Sequence, residues 1–189
     1  MDEAAILAEL TRTGALLEGH FQLRSGRHSN RYFQAALVLQ HTTVADRLCG
    51  ALAARFAAAD IATVIAPAVG GIVVGQEVAR HLGVRAIFAE KDEASGLVLR
   101  RGFTLDPGER VLVAEDVITQ GGRVRQTIEL VQAHGAVAVG VAVLVDRSDG
   151  TVDLGVPVQS LVRLELETYA PDACPLCRAG VQIEKPGSK

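Results

Sequence analysis

One stretch constrains the fold more than any other. Val111, Leu112, Val113 and Ala114 form an apolar run that leads into Glu115, Asp116, Val117, Ile118 and Thr119, then Gln120, Gly121, Gly122 and Arg123, where a helical pattern begins. Four consecutive apolar residues suit a strand buried on both faces, as in a parallel sheet. The residues past the carboxyl end of such a strand border the crevice where open α/β sheets take their ligands. The pattern therefore predicts a strand over 110–114, an anion-cradling turn, and a helix over 122–134. Two adjacent carboxylates after a strand are, by themselves, equally compatible with an ordinary solvated connection. The hydroxyl residue and the glycine pair favour a binding turn.

The rest of the chain alternates in the same way. Ile6, Leu10 and Leu17 predict a helix over 3–17, and Val44, Leu48, Leu52 and Phe56 predict another over 42–58. A strand over 63–67, a helix over 71–82 and a strand over 84–89 follow, then an irregular stretch from 90 to 96. A long apolar strand over 136–145 ends at Asp146 and Arg147. Between the first two helices, residues 20–34 alternate apolar and polar on either side of Ser25, Gly26 and Arg27, which reads as an antiparallel hairpin standing as a flap beside the main sheet. Strands separated by helices predict right-handed βαβ units, hence an α/β fold with a central, mostly parallel sheet flanked by helices. The 189 residues fit one domain, 1–189, with the flap at about 18–36, a core at about 40–165 and a tail at about 170–189. Aromatic residues are only 4% of the chain, so Ala, Val, Leu and Ile must build the core, as they do where helices lie on a sheet.

Several function classes are disfavoured. Neither GxxxxGK[ST] nor GxGxxG occurs, which argues against a P-loop NTPase or a dinucleotide enzyme. A net charge of -3 argues against generic nucleic-acid binding. No apolar run approaches the roughly 20 residues of a membrane span, and Met1, Asp2 and Glu3 are acidic where a signal peptide is basic, so no membrane partner and a cytoplasmic location are expected. The odd count of cysteines, Cys49, Cys174 and Cys177, fits a reducing compartment. Cys174 and Cys177 have zinc-knuckle spacing but form half a ligand set with no histidine near them in sequence, so a pair of tail-stabilising thiols is the default expectation. The turn from Pro67 to Gly71 is a second candidate anion cradle, although glycine there also simply permits a tight turn. Lys91 is alone in the body of a chain with sixteen Arg and three Lys; it marks either a mobile ammonium in a closing loop or a solvated surface residue.

At this point the residues carry a resemblance. The run from Val111 to Gly122 resembles the phosphoribosyl-diphosphate (PRPP) motif of type I phosphoribosyltransferases. Phe21 to Ser29, with Arg31 to Gln34, is similar to the amino-terminal flap of the orotate phosphoribosyltransferases, and Val145, Asp146 and Arg147 resemble that family's signature after the next strand. The tail from Cys174 onward is similar to a shorter bacterial and archaeal branch. The resemblance implies the type I phosphoribosyltransferase fold with a small hood, and transfer of a phosphoribosyl group from PRPP to orotate to give orotidine 5'-monophosphate and pyrophosphate.

It further implies Lys91, Glu115 and Asp116 as catalytic residues. Arg24, Lys91 and the residues from Glu115 to Arg123, namely Val117, Ile118, Thr119, Gln120, Gly121 and Gly122 between the acids and the arginine, would hold PRPP. Tyr32, Phe33, Thr119 and Arg147 would hold orotate, whose carboxylate suits a guanidinium. Magnesium would be carried by the substrate, with no direct protein ligand. A homodimer with shared active sites is implied, with Arg24 and Lys91 acting near pyrophosphate. Two departures stand out: Val69-Gly70-Gly71 replaces the Tyr-Lys-Gly of many relatives, and the loop keeps only Lys91 of a Lys-Asp-His-Gly run, so Arg100 or Arg101 becomes a candidate for the missing charge. The competing readings are a phosphoribosyltransferase for another base, a PRPP-sensing regulator, and a generic doubly wound binding module.

Overall fold

Period-two alternation within the buried strands decides how the molecule is layered. In the computed structural model, which describes residues 1–23, 25–93, 96–148 and 150–186, the chain runs α1 (Glu3–Arg12), β1 (Leu16–Gln22), β2 (His28–Phe33), α2 (Ala35–Leu39) and α3 (Thr42–Ala53). It continues through β3 (Thr63–Pro67), α4 (Gly71–Leu82), β4 (Arg85–Asp92), β5 (Gly96–Leu99), β6 (Arg110–Ile118) and α5 (Gly122–Ala133). β7 (Val137–Asp146), β8 (Val158–Arg163), β9 (Thr168–Tyr169) and the short α6 (Pro175–Arg178) complete it. The main sheet has the order β5-β4-β3-β6-β7-β8 and is parallel except for β5. Val64, Ala66, Leu112, Ala114, Ala142 and Leu144 project to one face, where they pack with Leu10, Leu48, Leu52 and Val78 of α1, α3 and α4. Their neighbours Ile65, Val111, Val113, Val141 and Val143 project to the other face, against Val124, Ile128 and Val131 of α5. Both faces are therefore covered, which is why these strands read as unbroken apolar runs.

A smaller antiparallel sheet, β1-β2-β9, forms the expected hood. Arg27 ties it to β9 by donating to the Thr168 hydroxyl at 2.9 Å and the Thr168 carbonyl at 2.7 Å, and the Ser29 hydroxyl donates to the Glu167 carbonyl at 2.8 Å. The tail folds back on β1, where Gln22 N donates to Glu184 O at 2.8 Å and Glu184 N to His20 O at 2.7 Å.

The helix expected over 42–58 ends at Ala53, and three further differences from the sequence reading bear on the site. The first helix stops at Arg12 and Leu17 belongs to β1, because Gly14 takes φ +69° and turns the chain. The stretch from 90 to 96 is in large part a hairpin rather than irregular, since β4 continues to Asp92 and Lys91 pairs with Leu97 of β5. β6 continues four residues past Ala114, so the two acids lie within the strand. Its neighbour β7 supplies the ladder there, pairing Glu115 with Val143 and Ile118 with Asp146.

Candidate functional site

Parallel strands β4, β3, β6 and β7 all end on one edge of the sheet. From β3 the chain moves to β4 on one side, whereas β6 and β7 lie on the other, so the order reverses between β3 and β6. That reversal opens the crevice in which doubly wound sheets bind ligands.

Two turns meet there with almost no space between them. A Cβ on Gly70 would stand 2.5 Å from Asp116 Oδ2, and one on Gly71 would stand 3.0 Å from Glu115 Oε1 and 3.1 Å from the Ala114 carbonyl oxygen. In this chain a larger residue at 70 would require the Asp116 carboxylate to shift. The turn after β3 contains a cis peptide between Ala68 and Val69, and Arg123 Nη1 donates to Ala68 O at 3.2 Å, linking it to the start of α5. Glu115 is 7% exposed and accepts a bond from Asp116 N at 3.1 Å; Asp116, half-buried, accepts from Val117 N at 2.8 Å. Burial, followed by the neighbouring Asp116 carboxylate, holds the Glu115 carboxyl well above the usual carboxylate range, with Arg123 pulling weakly the other way.

The segment after β6 is built for an anion. Thr119, Gln120, Gly122 and Arg123 are exposed, Gly121 has φ +73°, and no side chain caps α5, so the amides of its first turn stay available. Val117 is half-buried. The Ile118 side chain lies in the core and its carbonyl accepts from Arg147 N at 2.8 Å, so neither branch of that residue faces the crevice freely.

Arg147 follows β7. Its Nε is buried without a partner, and among the described residues no hydrogen bond or ion pair reaches its guanidinium. Burial lowers its pKa, and the Tyr32 phenol is near enough to oppose that effect. The guanidinium remains cationic in any case. Tyr32 and Phe33 lie on opposite faces of β2. Phe33 is 4% exposed inside the main core, so Tyr32 and not Phe33 is open to a ligand. Asp146 is occupied by Ser148, whose amide and hydroxyl donate to it at 2.8 and 2.6 Å.

On the β4–β5 hairpin the cations are not equivalent. Arg100 pairs with Asp92 at 2.6 Å and Arg101 with Glu90 at 2.8 Å, Arg101 also lying 5.6 Å above the Phe88 ring. Lys91 is exposed and, among the described residues, engaged in no ion pair. The candidates for the missing family charge are thus tied to their own hairpin, and among its described cations Lys91 is the one without an ion pair. Arg24 lies outside the described residues. What the sequence reading missed is the contact of Gly70 and Gly71 with the acids; its signal was already in the Pro67 to Gly71 turn, which closes the adjacent strand.

Residues 38–165 match the family model of the phosphoribosyl transferase domain. Over 189 residues, covering all of this chain and 99% of the relative, the sequence is 56% identical to the orotate phosphoribosyltransferase of Pelotomaculum thermopropionicum. It is 53% identical to that of Desulforamulus reducens, over all of this chain and 98% of the relative. Among solved structures it is similar to orotate phosphoribosyltransferase from Aeropyrum pernix, with a TM-score of 0.72 at 28% identity over 84% of this chain and 93% of the other.

The buried acid predicts a pH signature. A native carboxyl raised above its unfolded value holds a proton that the unfolded chain releases, so its contribution to stability is full at low pH and is lost as pH rises toward the native value. Glu115→Gln is neutral throughout and escapes that loss. In thermal unfolding of the ligand-free protein, the Tm of Glu115→Gln should gain on wild type as pH rises from about 5 to about 8. A difference that stays flat across that range refutes the raised pKa.

Proposed function

The chain belongs to the orotate phosphoribosyltransferase family, and we infer that it transfers the 5-phosphoribosyl group of PRPP to orotate, releasing pyrophosphate and forming orotidine 5'-monophosphate for UMP synthesis. This is pentosyl transfer, the work of a glycosyltransferase. The observation that carries the choice of base is Arg147, half-buried beside the half-buried Tyr32, whose guanidinium has its Nε buried and no partner among the described residues. A buried, unpaired N–H on a cation is costly unless a ligand completes it, and the carboxylate of orotate would do so bidentately. A base without a carboxylate would leave it bare.

The remaining residues divide by charge. Breaking the bond from C1 of the ribose to pyrophosphate develops positive charge on the ring and negative charge on the leaving group, so the site must serve both signs. In our reading Glu115 and Asp116 hold the ribose hydroxyls from the switch point, with Asp116 nearest the developing cation. The amides from Thr119 to Arg123 at the start of α5 cradle the 5'-phosphate. Lys91, and Arg24 of the flap, meet the pyrophosphate. Tyr32 and Thr119 border the pyrimidine, while Phe33, on the opposite face of β2, anchors that strand in the core.

Magnesium fits this donor set. Asp116 is tied to a backbone amide and Glu115 is held toward its neutral form, so neither is free to act as a strong direct ligand, which suits an ion that keeps its waters and takes its other oxygens from substrate. Bound that way, it would neutralise diphosphate charge. We further read the protein as a cytoplasmic homodimer, in which the exposed hairpin places Lys91 at the partner's site. Its three cysteines are free, as in a reducing compartment, and no helix among the described residues is long and apolar enough to cross a membrane.

Three outcomes test these assignments. With PRPP and Mg²⁺, and with orotate, uracil, adenine, hypoxanthine and xanthine offered separately, only orotate should be consumed; consumption of another base, or of none, overturns the activity. Arg147→Ala should raise the KM for orotate at least ~10-fold more than that for PRPP, since a lost charged hydrogen bond is worth about 1.5–3 kcal/mol. Equal effects on the two substrates would remove Arg147 from the base site. Lys91→Ala and Asp116→Asn subunits, each nearly inactive alone, should regain activity when refolded together, because a mixed dimer holds one site with both residues. Sedimentation would verify that mixed dimers form, and their inactivity would rule out sharing.

A further inference from the structure

Far in sequence from the catalytic turn, two histidines of the hood meet two cysteines of the tail. His20 Nε2 lies 3.1 Å from His28 Nδ1, 3.5 Å from Cys174 Sγ and 3.7 Å from Cys177 Sγ, and Cys177 Sγ lies 3.3 Å from His28 Nδ1. All four atoms fall within 4.8 Å of one another. Around a tetrahedral Zn²⁺, bonds of about 2.0–2.1 Å to nitrogen and about 2.3 Å to sulfur put neighbouring ligand atoms roughly 3.3–3.8 Å apart. The side chains thus already stand at the spacing a zinc ion imposes.

We propose that His20, His28, Cys174 and Cys177 form a structural Cys2His2 zinc site that clasps the carboxyl-terminal tail to the hood.

Hydrogen bonding alone accounts poorly for the cluster. His20 Nδ1 stands 2.8 Å from the Val181 carbonyl, which can only accept, so Nδ1 carries the proton and Nε2 of the neutral ring presents one lone pair. Three polar atoms crowd that single lone pair. A cation at their centre satisfies all four atoms at once, and the carbonyl behind His20 is the outer partner that fixes a metal-bound imidazole in its tautomer. His20, His28 and Cys174 are buried while Cys177 is exposed, leaving an entry path on one side. Pro175 opens α6 directly after Cys174, and this short helix returns Cys177 to the same point. The four ligands leave no open coordination position, as in structural rather than catalytic zinc sites. Binding would release the protons of both thiols and form two thiolate bonds, with no change of oxidation state.

A second convergence, of Asp46, Glu77 and His81, differs in kind. Arg80 pairs with Asp46 and, at 2.7 Å, with Glu77, so a positive charge already occupies it.

The test uses the full chain, produced in zinc-supplemented medium and kept reduced. Elemental analysis should find one zinc per chain. Exchange for Co²⁺ should give intense tetrahedral ligand-field bands in the visible and a near-ultraviolet thiolate-to-cobalt band. Cys177→Ser, at the exposed position, should lose the metal or hold it far more weakly, and removal of zinc by a chelator should lower Tm in wild type but not in that variant. Protein that neither retains nor takes up an equivalent of metal, a weak six-coordinate cobalt spectrum, or Cys177→Ser with full zinc content and an unchanged thiolate band would each overturn the proposal. So would a Cys174–Cys177 disulfide in freshly isolated, alkylated protein. None of these measurements depends on which base the enzyme uses.

Discussion

The closeness of two turns at the switch point governs most of what this protein does. The β3–α4 turn lies this close to Glu115 and Asp116 because residues 70 and 71 have no side chains, the nearest carboxylate oxygen being 2.5 Å from where a Cβ would stand. This packing pins the two acids at the mouth of the crevice. It also buries Glu115 beside a second carboxylate, an arrangement that disfavours charge on Glu115 and costs stability near neutral pH. The core lends support from beneath, where Gly75 of α4 brings the helix so near β3 that a Cβ would meet Ala66 at 2.9 Å. Helix, turn and strand are therefore packed closely around the acids.

Two features of the site are unfavourable in the free protein, and the proposed ligands would relieve both. Glu115 is a buried acid held toward its neutral form, and Arg147 is a half-buried cation whose buried Nε has no partner among the described residues. Elsewhere the polar groups are better served: Glu109, for instance, accepts from Asp106 N at 2.8 Å and from Arg85 at 2.8 Å. Local rules broken at one edge of the sheet and kept around the rest of it mark the functional edge. The two exceptions also have opposite character, which matches a reaction that combines a sugar turning cationic with a base carrying a carboxylate.

Much of this was legible in the sequence, and the failures have physical causes. The core strands could be read because parallel strands covered on both faces need unbroken apolar runs. Glu115 and Asp116 were recognised as site residues but placed in a turn. Acids are poor strand formers, and only the long ladder with β7, invisible to local pattern, keeps them in β6. Lys91 stood out by composition, yet its freedom emerged only when Arg100 and Arg101 proved to be paired with Asp92 and Glu90. Phe33 looked equivalent to Tyr32, and the pleat separates them. Cys174 and Cys177 looked like half a ligand set because their contacts to His20 and His28 span 149 to 157 positions, a distance that no local spacing rule covers.

The hood shows why such a clasp belongs where it is. Its third strand has two residues and pairs with β2 at only His28 and Ser29, too little to stabilise a sheet alone. The hood must nevertheless hold a strict register, because a slip of one residue would exchange Phe33, which anchors it in the core, with the half-buried Tyr32 on the other face. β1 is irregular between Glu18 and Phe21, where His20 lies, so pairing with β2 is weakest there. His28 is the residue opposite both Gln22 and Tyr169. A centre that requires His20 and His28 together can form in one register only, and the tail that brings the cysteines adds its backbone bonds to the same segment of β1. With such a centre in place, the position of Tyr32, which we propose to border the base, would be set by a contact at the opposite end of its own hairpin.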